Sequence, residues 1–216
     1  RRVLETFGVD IIAVDATLDA QSPYSYNNYA RTFANDNPGV WFVDQPDNLD
    51  NFEDHYLLTG QEICRQSEGK LDYFVGSMGT GGTLSGIGKA LKEQNPNIKI
   101  IGVDPKGSVF RDYFYGNPLP KPMGHHLEGI GNALPTANVM REFIDEILEI
   151  QDIEGLKIVR RLVKDEGIIA GPSAGANLWA ALQIAEREGR EVAIGTIIGD
   201  TGYKYTSTLF DDEWLN

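Results

Sequence analysis

Apolar positions follow two rhythms along this chain: short, near-continuous runs, and longer stretches in which they recur with helical spacing. The runs predict strands at Asp10–Val14, Val40–Val43, Tyr73–Val75, Ile98–Val103, Glu146–Ile150, Ile168–Ala170 and Val192–Ile198. The helical spacing predicts helices over Pro23–Asn35, Asn51–Gln66, Thr83–Gln94, Ile153–Glu166, Ser173–Arg187 and Tyr205–Phe210. Residues 1–8 read as the end of a helix closed by Gly8. Strands alternate with helices, which argues for βαβ units and a largely parallel sheet, because parallel neighbours need a crossover between them. Val192–Ile198 is almost wholly apolar, as expected of a strand covered by helices on both faces. The expected class is α/β: a three-layer, doubly wound, mostly parallel sheet.

The rhythm breaks between Asp104 and Thr136. That stretch holds Pro105, Pro118, Pro120, Pro122 and Pro135, with Gly107, Gly116, Gly124, Gly129 and Gly131 among them. A long irregular segment inside an α/β domain is usually functional or mobile. This one follows a strand's C-terminal end, the side on which open parallel sheets bind ligands.

The richest local signal is Gly79-Thr80-Gly81-Gly82-Thr83, set between the run Tyr73–Val75 and the helical pattern that follows. A helix start offers free N–H groups and the positive end of the helix dipole, so it favours anions. Glycines let a phosphate come close to the backbone, and threonines add hydroxyl donors. The dinucleotide fingerprint Gly-x-Gly-x-x-Gly fails, because Leu84 stands where its third glycine belongs. The nucleotide P-loop fails as well: Gly76 and Gly81 have its spacing, but Gly82 occupies the lysine position. A single phosphate monoester, which a nest of neutral donors can hold, fits better. A tight strand–helix turn without a ligand is the plain alternative.

Bulk properties narrow the partners. The 216 residues suffice for one well-buried α/β domain, or one domain and part of another. A formal net charge of −13 disfavours nucleic acid and anionic membrane surfaces. No apolar run has the length of a membrane span. The single cysteine, Cys64, allows no intrachain disulfide and lies in an amphipathic helical pattern as a core residue. This fits a reducing compartment, and a cytoplasmic location is expected. His125 and His126 adjoin in the long loop, but no third or fourth ligand is suitably spaced, so no metal site is expected.

Four further motifs occur in order after the glycine run: Ile101-Gly102-Val103-Asp104-Pro105, Glu128-Gly129-Ile130-Gly131, Glu166-Gly167-Ile168 and Gly171-Pro172-Ser173-Ala174-Gly175. They are followed by Tyr205-Thr206-Ser207-Thr208-Leu209-Phe210 and Asp211-Asp212-Glu213-Trp214-Leu215. This series resembles the cysteine synthase and cystathionine β-synthase family, pyridoxal-phosphate enzymes of fold type II, the tryptophan-synthase-β-like fold. The resemblance runs over nearly the whole chain and implies that its N-terminal part of the fold is absent. Residues 1–44 would then be the remainder of a small domain and 45–216 a large cofactor-binding domain.

The resemblance assigns roles position by position. Gly79, Thr80, Gly81, Gly82 and Thr83 would hold the phosphate of pyridoxal 5'-phosphate. Ser173, by itself a good helix N-cap, would meet the pyridine nitrogen. A hydroxyl there leaves the nitrogen largely neutral where a carboxylate would keep it protonated, which suits loss and replacement of a β-substituent better than transamination. Asp200, in the turn Asp200-Thr201-Gly202, would lie near the same nitrogen, although the triplet reads equally as a plain turn. Gln45 would face the substrate carboxylate, with Pro46 where the family usually has an aromatic residue. Gly129 would border the substrate. The family's cofactor-binding lysine would lie upstream of Arg1, as would its Ser/Thr-rich loop for the substrate carboxylate. None of Lys89, Lys106, Lys121 or Lys164 sits in the lysine motif. Residues 1–216 are therefore expected to be inactive alone.

The activity implied is β-replacement on serine or an O-activated serine by a thiol or sulfide, giving cysteine or cystathionine, in a homodimer. Two alternatives stay open: a non-catalytic homologue or partner subunit without the lysine, and a lyase or dehydratase acting on serine or threonine.

Overall fold

Side-chain alternation along the two central strands divides the interior into two cores. In the computed structural model, which describes residues 2–15 and 17–215, the chain falls into two compact units, Arg1–Asp44 and Gln45–Asn216. The second holds a sheet of four strands, β1 (Tyr73–Ser77), β2 (Lys99–Pro105), β3 (Glu146–Ile150) and β4 (Ile194–Thr196). Their order is β3-β2-β1-β4 and every pairing is parallel. Tyr73 and Val75 of β1, with Ile101 and Val103 of β2, turn to one face. Phe74 and Ile100 turn to the other. Both faces are buried, so both need helices.

The unit Arg1–Asp44 contains α1 (Arg2–Thr6) and α2 (Tyr26–Asp36). The helix end expected over residues 1–8 is present from Arg2, with Gly8 at φ +75°; Arg1 itself lies outside the described residues. The strands expected at Asp10–Val14 and Val40–Val43 are not strands here. Among the described residues neither has a neighbouring strand to pair with, and a run of apolar residues becomes a strand only through such pairing. Their side chains Ile12, Val14, Val40 and Phe42 instead line an apolar pocket with Tyr29 and Phe33 of α2.

In the larger unit, α3 (Asp50–Asp54), a π-helical stretch (His55–Gly60) and α4 (Gln61–Ser67) run on without a break. The expected helix Asn51–Gln66 is thus present, but its middle is wound more loosely. Apolar spacing cannot reveal this, because a π turn changes the period for only one turn. This composite helix and α5 (Gly82–Gln94) cover the Phe74 face, with Leu84, Ile87, Leu91 and Cys64 in that core. The two pack closely where glycine removes side-chain bulk: a Cβ at Gly60 would meet the Ala90 Cβ at 2.6 Å, and one at Gly86 would meet the Phe52 carbonyl at 2.6 Å.

The short helix α6 (Phe110–Tyr115) opens the long loop. The other face is covered by α7 (Asp152–Glu166) and α8 (Pro172–Glu188), which bury Leu156, Val159, Ala174, Ala176 and Ala180 against β1 and β2. Tyr205, Leu209 and the partly buried Leu215 of α9 (Asp212–Leu215) extend this core. In α7 the Glu154 carboxylate accepts from the Gln151 N–H at 3.0 Å, a first-turn acid serving a free helix donor. Two further expectations are corrected in this unit. Ile168–Ala170 gives only an isolated bridge between Ala170 and Thr201, because Gly171 and Pro172 start α8 at once. The region expected as a helix over Tyr205–Phe210 is a 3₁₀ turn at Gly202–Tyr205 followed by turns, too short a run to sustain α-helical bonding.

Candidate cofactor site

The strand order places a crevice where it matters. From β1 the chain proceeds outward through β2 to β3, whereas β4 flanks β1 on the opposite side. The connections at the C-terminal ends of β1 and β4 therefore diverge, and such a switch point is where open α/β sheets bind ligands. The glycine run begins two residues after β1, and Gly199 and Asp200 come after Ile197 and Ile198 beyond β4.

Gly81 is the N-cap of α5 at φ +86°, a left-handed conformation that side chains rarely adopt. A Cβ there would stand 2.5 Å from Val139 Cγ2, and one on Gly82 would stand 2.3 Å from Asn51 Oδ1. No side chain caps α5. Its first N–H groups are thus open to a ligand, apart from the Gly82 N–H, which reaches the Thr80 hydroxyl at 3.3 Å. The loop from Leu127 to Met140 closes round this turn. Gly131 N–H donates to the Met78 carbonyl at 2.6 Å, and a Cβ on Gly79 would meet the Gly129 carbonyl at 2.8 Å. Thr136 donates its hydroxyl to the Thr80 carbonyl. The structure therefore brings Gly129 against Gly79, two residues that sequence placed in separate motifs.

Gln45 is tied to the same turn through its backbone. The Asn51 amide nitrogen donates to the Gln45 carbonyl at 2.9 Å and to the Thr80 hydroxyl at 3.0 Å. The buried Asn138 donates to the Pro46 carbonyl at 2.7 Å and accepts from the Phe52 N–H at 3.2 Å. Gln45 is exposed. Beyond Thr80, the His55 Nε2 atom lies 2.9 Å from Thr83 Oγ1, and its Nδ1 atom lies 3.0 Å from Thr59 Oγ1. Burial lowers the His55 pKa from its usual value, with the Asp54 charge opposing. Asn51, His55, Thr136 and Asn138 escaped the sequence reading. Asn51 and His55 carry a weak signal, one polar residue at a helix start and one four positions before a threonine, while Thr136 and Asn138 sit in a loop with no period to read.

On the other side of the crevice, Ser173 is the second residue of α8, after Pro172. A Cβ on Gly199 would lie 3.8 Å from its Oγ, so the hydroxyl faces the turn that follows β4. Asp200 accepts from the Tyr205 hydroxyl at 2.7 Å and from Lys204 at 3.3 Å through Oδ2. Its buried Oδ1 has no hydrogen-bond partner and presses on Gly171, where a Cβ would come within 1.9 Å. Burial and the Asp200 contact push the Tyr205 phenol well above its usual pKa. His126 is tied down away from the nest, its N–H donating to Asp152 at 2.6 Å and its ring edge-on to Trp214. Among the described residues no three His, Cys, Asp or Glu side chains gather as a metal site.

The two sides differ in what they accept. The turn at Gly79–Thr83 offers backbone donors and hydroxyls with no acidic residue among them, and its glycines leave open the volume a Cβ would fill. A phosphate monoester fits it. The start of α8 offers one hydroxyl beside an existing carboxylate and suits a neutral heteroatom. A molecule with a phosphate at one end and a ring nitrogen at the other matches that pair.

Comparison with known proteins agrees with this geometry. The family described as pyridoxal-phosphate dependent enzyme matches residues 1–199. Cystathionine β-synthase of Apis mellifera is 37% identical over 214 residues, covering 98% of this chain and 42% of the relative. Cysteine synthase of Staphylococcus aureus is 38% identical over 178 residues, covering 81% of this chain and 56% of the relative. Cystathionine β-synthase of Rattus norvegicus is 33% identical over 216 residues, covering 99% and 38%. The chain thus spans from under two fifths to just over half of the length of these relatives. The matched family and these relatives show that the chain belongs to the pyridoxal-phosphate dependent enzyme family, in the cysteine synthase and cystathionine β-synthase group, and that its cofactor is pyridoxal phosphate.

Proposed function

We propose that the protein replaces the β-substituent of serine or an O-activated serine with a thiol or sulfide, forming cysteine or cystathionine, and that Gln45–Asn216 is its cofactor-binding domain. One observation carries the reading: a hydroxyl, Ser173, stands at the start of α8, where the adjoining Asp200 carboxylate is already engaged by Tyr205 and Lys204. When bound, pyridoxal phosphate supplies an electron sink that acidifies the α-proton of an amino acid and lets a β-substituent leave. The residues of this chain hold and orient. Gly79 to Thr83 grip the phosphate through N–H and hydroxyl donors at the head of α5. Ser173 fixes the ring edge by a single neutral hydrogen bond, which limits how strongly the sink draws charge and favours departure of a β-group. Gly129, lying against Gly79, borders the substrate and keeps water from it. Gln45 offers an amide donor to the substrate carboxylate. The lysine that moves the α-proton belongs, in this reading, to a part of the protein upstream of these residues, and the partner is a second copy in a homodimer.

The test is product analysis on the native protein with serine or O-acetylserine, with sulfide or homocysteine as acceptor. Cysteine or cystathionine formed in step with consumed acceptor supports the reading. Pyruvate released without any acceptor replaces it with a lyase. No turnover, with no pyridoxyl-lysine after borohydride reduction, replaces it with a non-catalytic homologue.

A further inference from the structure

Thr80 and Thr83 are the two hydroxyls of the phosphate nest, and a hydroxyl has one proton to give. For an anion to benefit, that proton must point at it, so the oxygen's lone pairs must be occupied by donors from the protein. Thr80 meets this condition visibly. Its Oγ1 lies within bonding distance of two donors, the Asn51 amide N–H at 3.0 Å and the Gly82 N–H at 3.3 Å. The amide orientation of Asn51 is not free, because the same nitrogen also donates to the Gln45 carbonyl. The Thr80 proton is therefore left over for a ligand.

Thr83 has one close polar neighbour of comparable quality, His55 Nε2 at 2.9 Å. If Nε2 were bare, Thr83 would spend its proton on the ring and turn lone pairs toward the phosphate. If Nε2 carries the proton, Thr83 accepts and its own proton is released to the anion. A bound anion decides between these, because only the Nε2–H form leaves it the Thr83 proton. Nδ1 faces the Thr59 hydroxyl at 3.0 Å, a group able to donate. Thr59 follows His55 by four residues in the π-helical stretch, so one segment supplies both the ring and a hydroxyl that can complete that tautomer.

Resting on the reading of Gly79–Thr83 as the phosphate nest, we propose that His55 is a positioning residue. In the Nε2–H tautomer, with Thr59 donating to Nδ1, its one-way chain, Thr59 to His55 to Thr83, aims the Thr83 hydroxyl proton at the cofactor phosphate. Half-burial of the ring, which disfavours a charged imidazole, keeps this chain in its neutral form. The ring touches no reacting atom; it acts through Thr83.

Two measurements on the native, cofactor-loaded protein test this. Long-range ¹H–¹⁵N correlation on histidine-labelled protein, with the His55 signals assigned by their loss in His55→Gln, reads the tautomer directly. Protonated Nε2 with unprotonated Nδ1 is expected, and Thr59→Val is expected to mix the two forms. The reverse tautomer in the unmodified protein overturns the proposal. Pyridoxal-phosphate dissociation constants, with the ³¹P shift of the bound phosphate, give the second readout. Thr83→Val and His55→Phe are each expected to weaken binding about tenfold, the worth of one hydrogen bond to a charged group. Their combination is expected to cost little more than either alone. His55→Gln, whose amide can still donate, is expected to recover most of the loss. If Thr83→Val weakens binding and His55→Phe does not, the relay is wrong and the nest stands. If Thr83→Val changes neither binding nor the ³¹P shift, the nest reading itself fails. Should His55→Phe not fold, the tautomer measurement decides alone.

Discussion

Helices α5 and α8 both begin at the rim of one crevice, and they begin in opposite ways. At α5 the cap is a glycine at φ +86°, only the Gly82 N–H of the first turn meets a side chain, the Thr80 hydroxyl, and no carboxylate is part of the turn. At α8 the first residue is proline, which removes one free donor, and the Asp200 carboxylate already lies against the capping Gly171. The dipole of any helix favours an anion at its start. What separates these two is whether the protein has already supplied one. The first start has none built in. The second has its negative charge built in, which leaves a hydroxyl to meet a neutral atom.

Closing the open start should have the largest effect. Gly81→Ala adds a side chain at a positive φ and drives it into Val139, so a loss of about 2–4 kcal/mol in unfolding free energy is expected, from strain and overpacking together. Cofactor binding should fall with it, by at least tenfold in titrations followed by cofactor absorbance. Native stability and affinity in this variant would remove the conformational argument for the nest.

Crowding the other start should cost less. Gly171→Ala meets Asp200 Oδ1, whose carboxylate can swing only by giving up Tyr205 and Lys204. About 1–3 kcal/mol is expected in a urea melt, with part of it recovered by Asp200→Ala in the same background. Equal losses with and without Asp200 would show that the carboxylate is not what fills the space.

A second carboxylate sharpens the comparison at smaller scale. Asp104 accepts from the Arg111 N–H at 2.9 Å at the end of β2, yet its Oδ1 is buried without a partner, and burial pushes its pKa to about 6. Because the folded pKa exceeds the unfolded one, the native state binds the extra proton. The contribution to stability is therefore present at low pH and is lost as pH rises through about 6. Acidifying from pH 7 to 5 should stabilise the fold through this group by about 1 kcal/mol. Asp104→Asn should flatten that part of the profile in paired thermal melts, and identical profiles would deny the protonation.

The sequence was most readable where one period held for several turns or where a run was covered on both faces. Tyr73–Val75, Glu146–Ile150 and the helices at Thr83–Gln94 and Ile153–Glu166 lie within a few residues of their expected limits. Asp10–Val14 and Val40–Val43 have strand composition, but strand structure also requires a neighbour, and composition does not record one. The glycine turn at the head of α5 was legible because glycine spacing is a local property. Its supports were not: Asn51 is separated from Thr80 by 29 positions, and Asn138 from Pro46 by 92. The contact of Gly129 with Gly79 likewise depends on the path of a loop that has no repeating pattern.

The π turn at His55–Gly60 gives this segment an unusual tolerance of length. A π turn accommodates one residue more than an α turn. Deleting a single residue from it would let the stretch wind as ordinary helix while the residues on either side keep their phase. Gly60 would still face Ala90, and Cys64 would stay in the core. The same deletion inside α5, a regular helix, would instead turn everything beyond it by about 100° and carry buried positions such as Leu91 off their face. In the drift of homologous genes, this turn should tolerate a change of count that a regular buried helix does not.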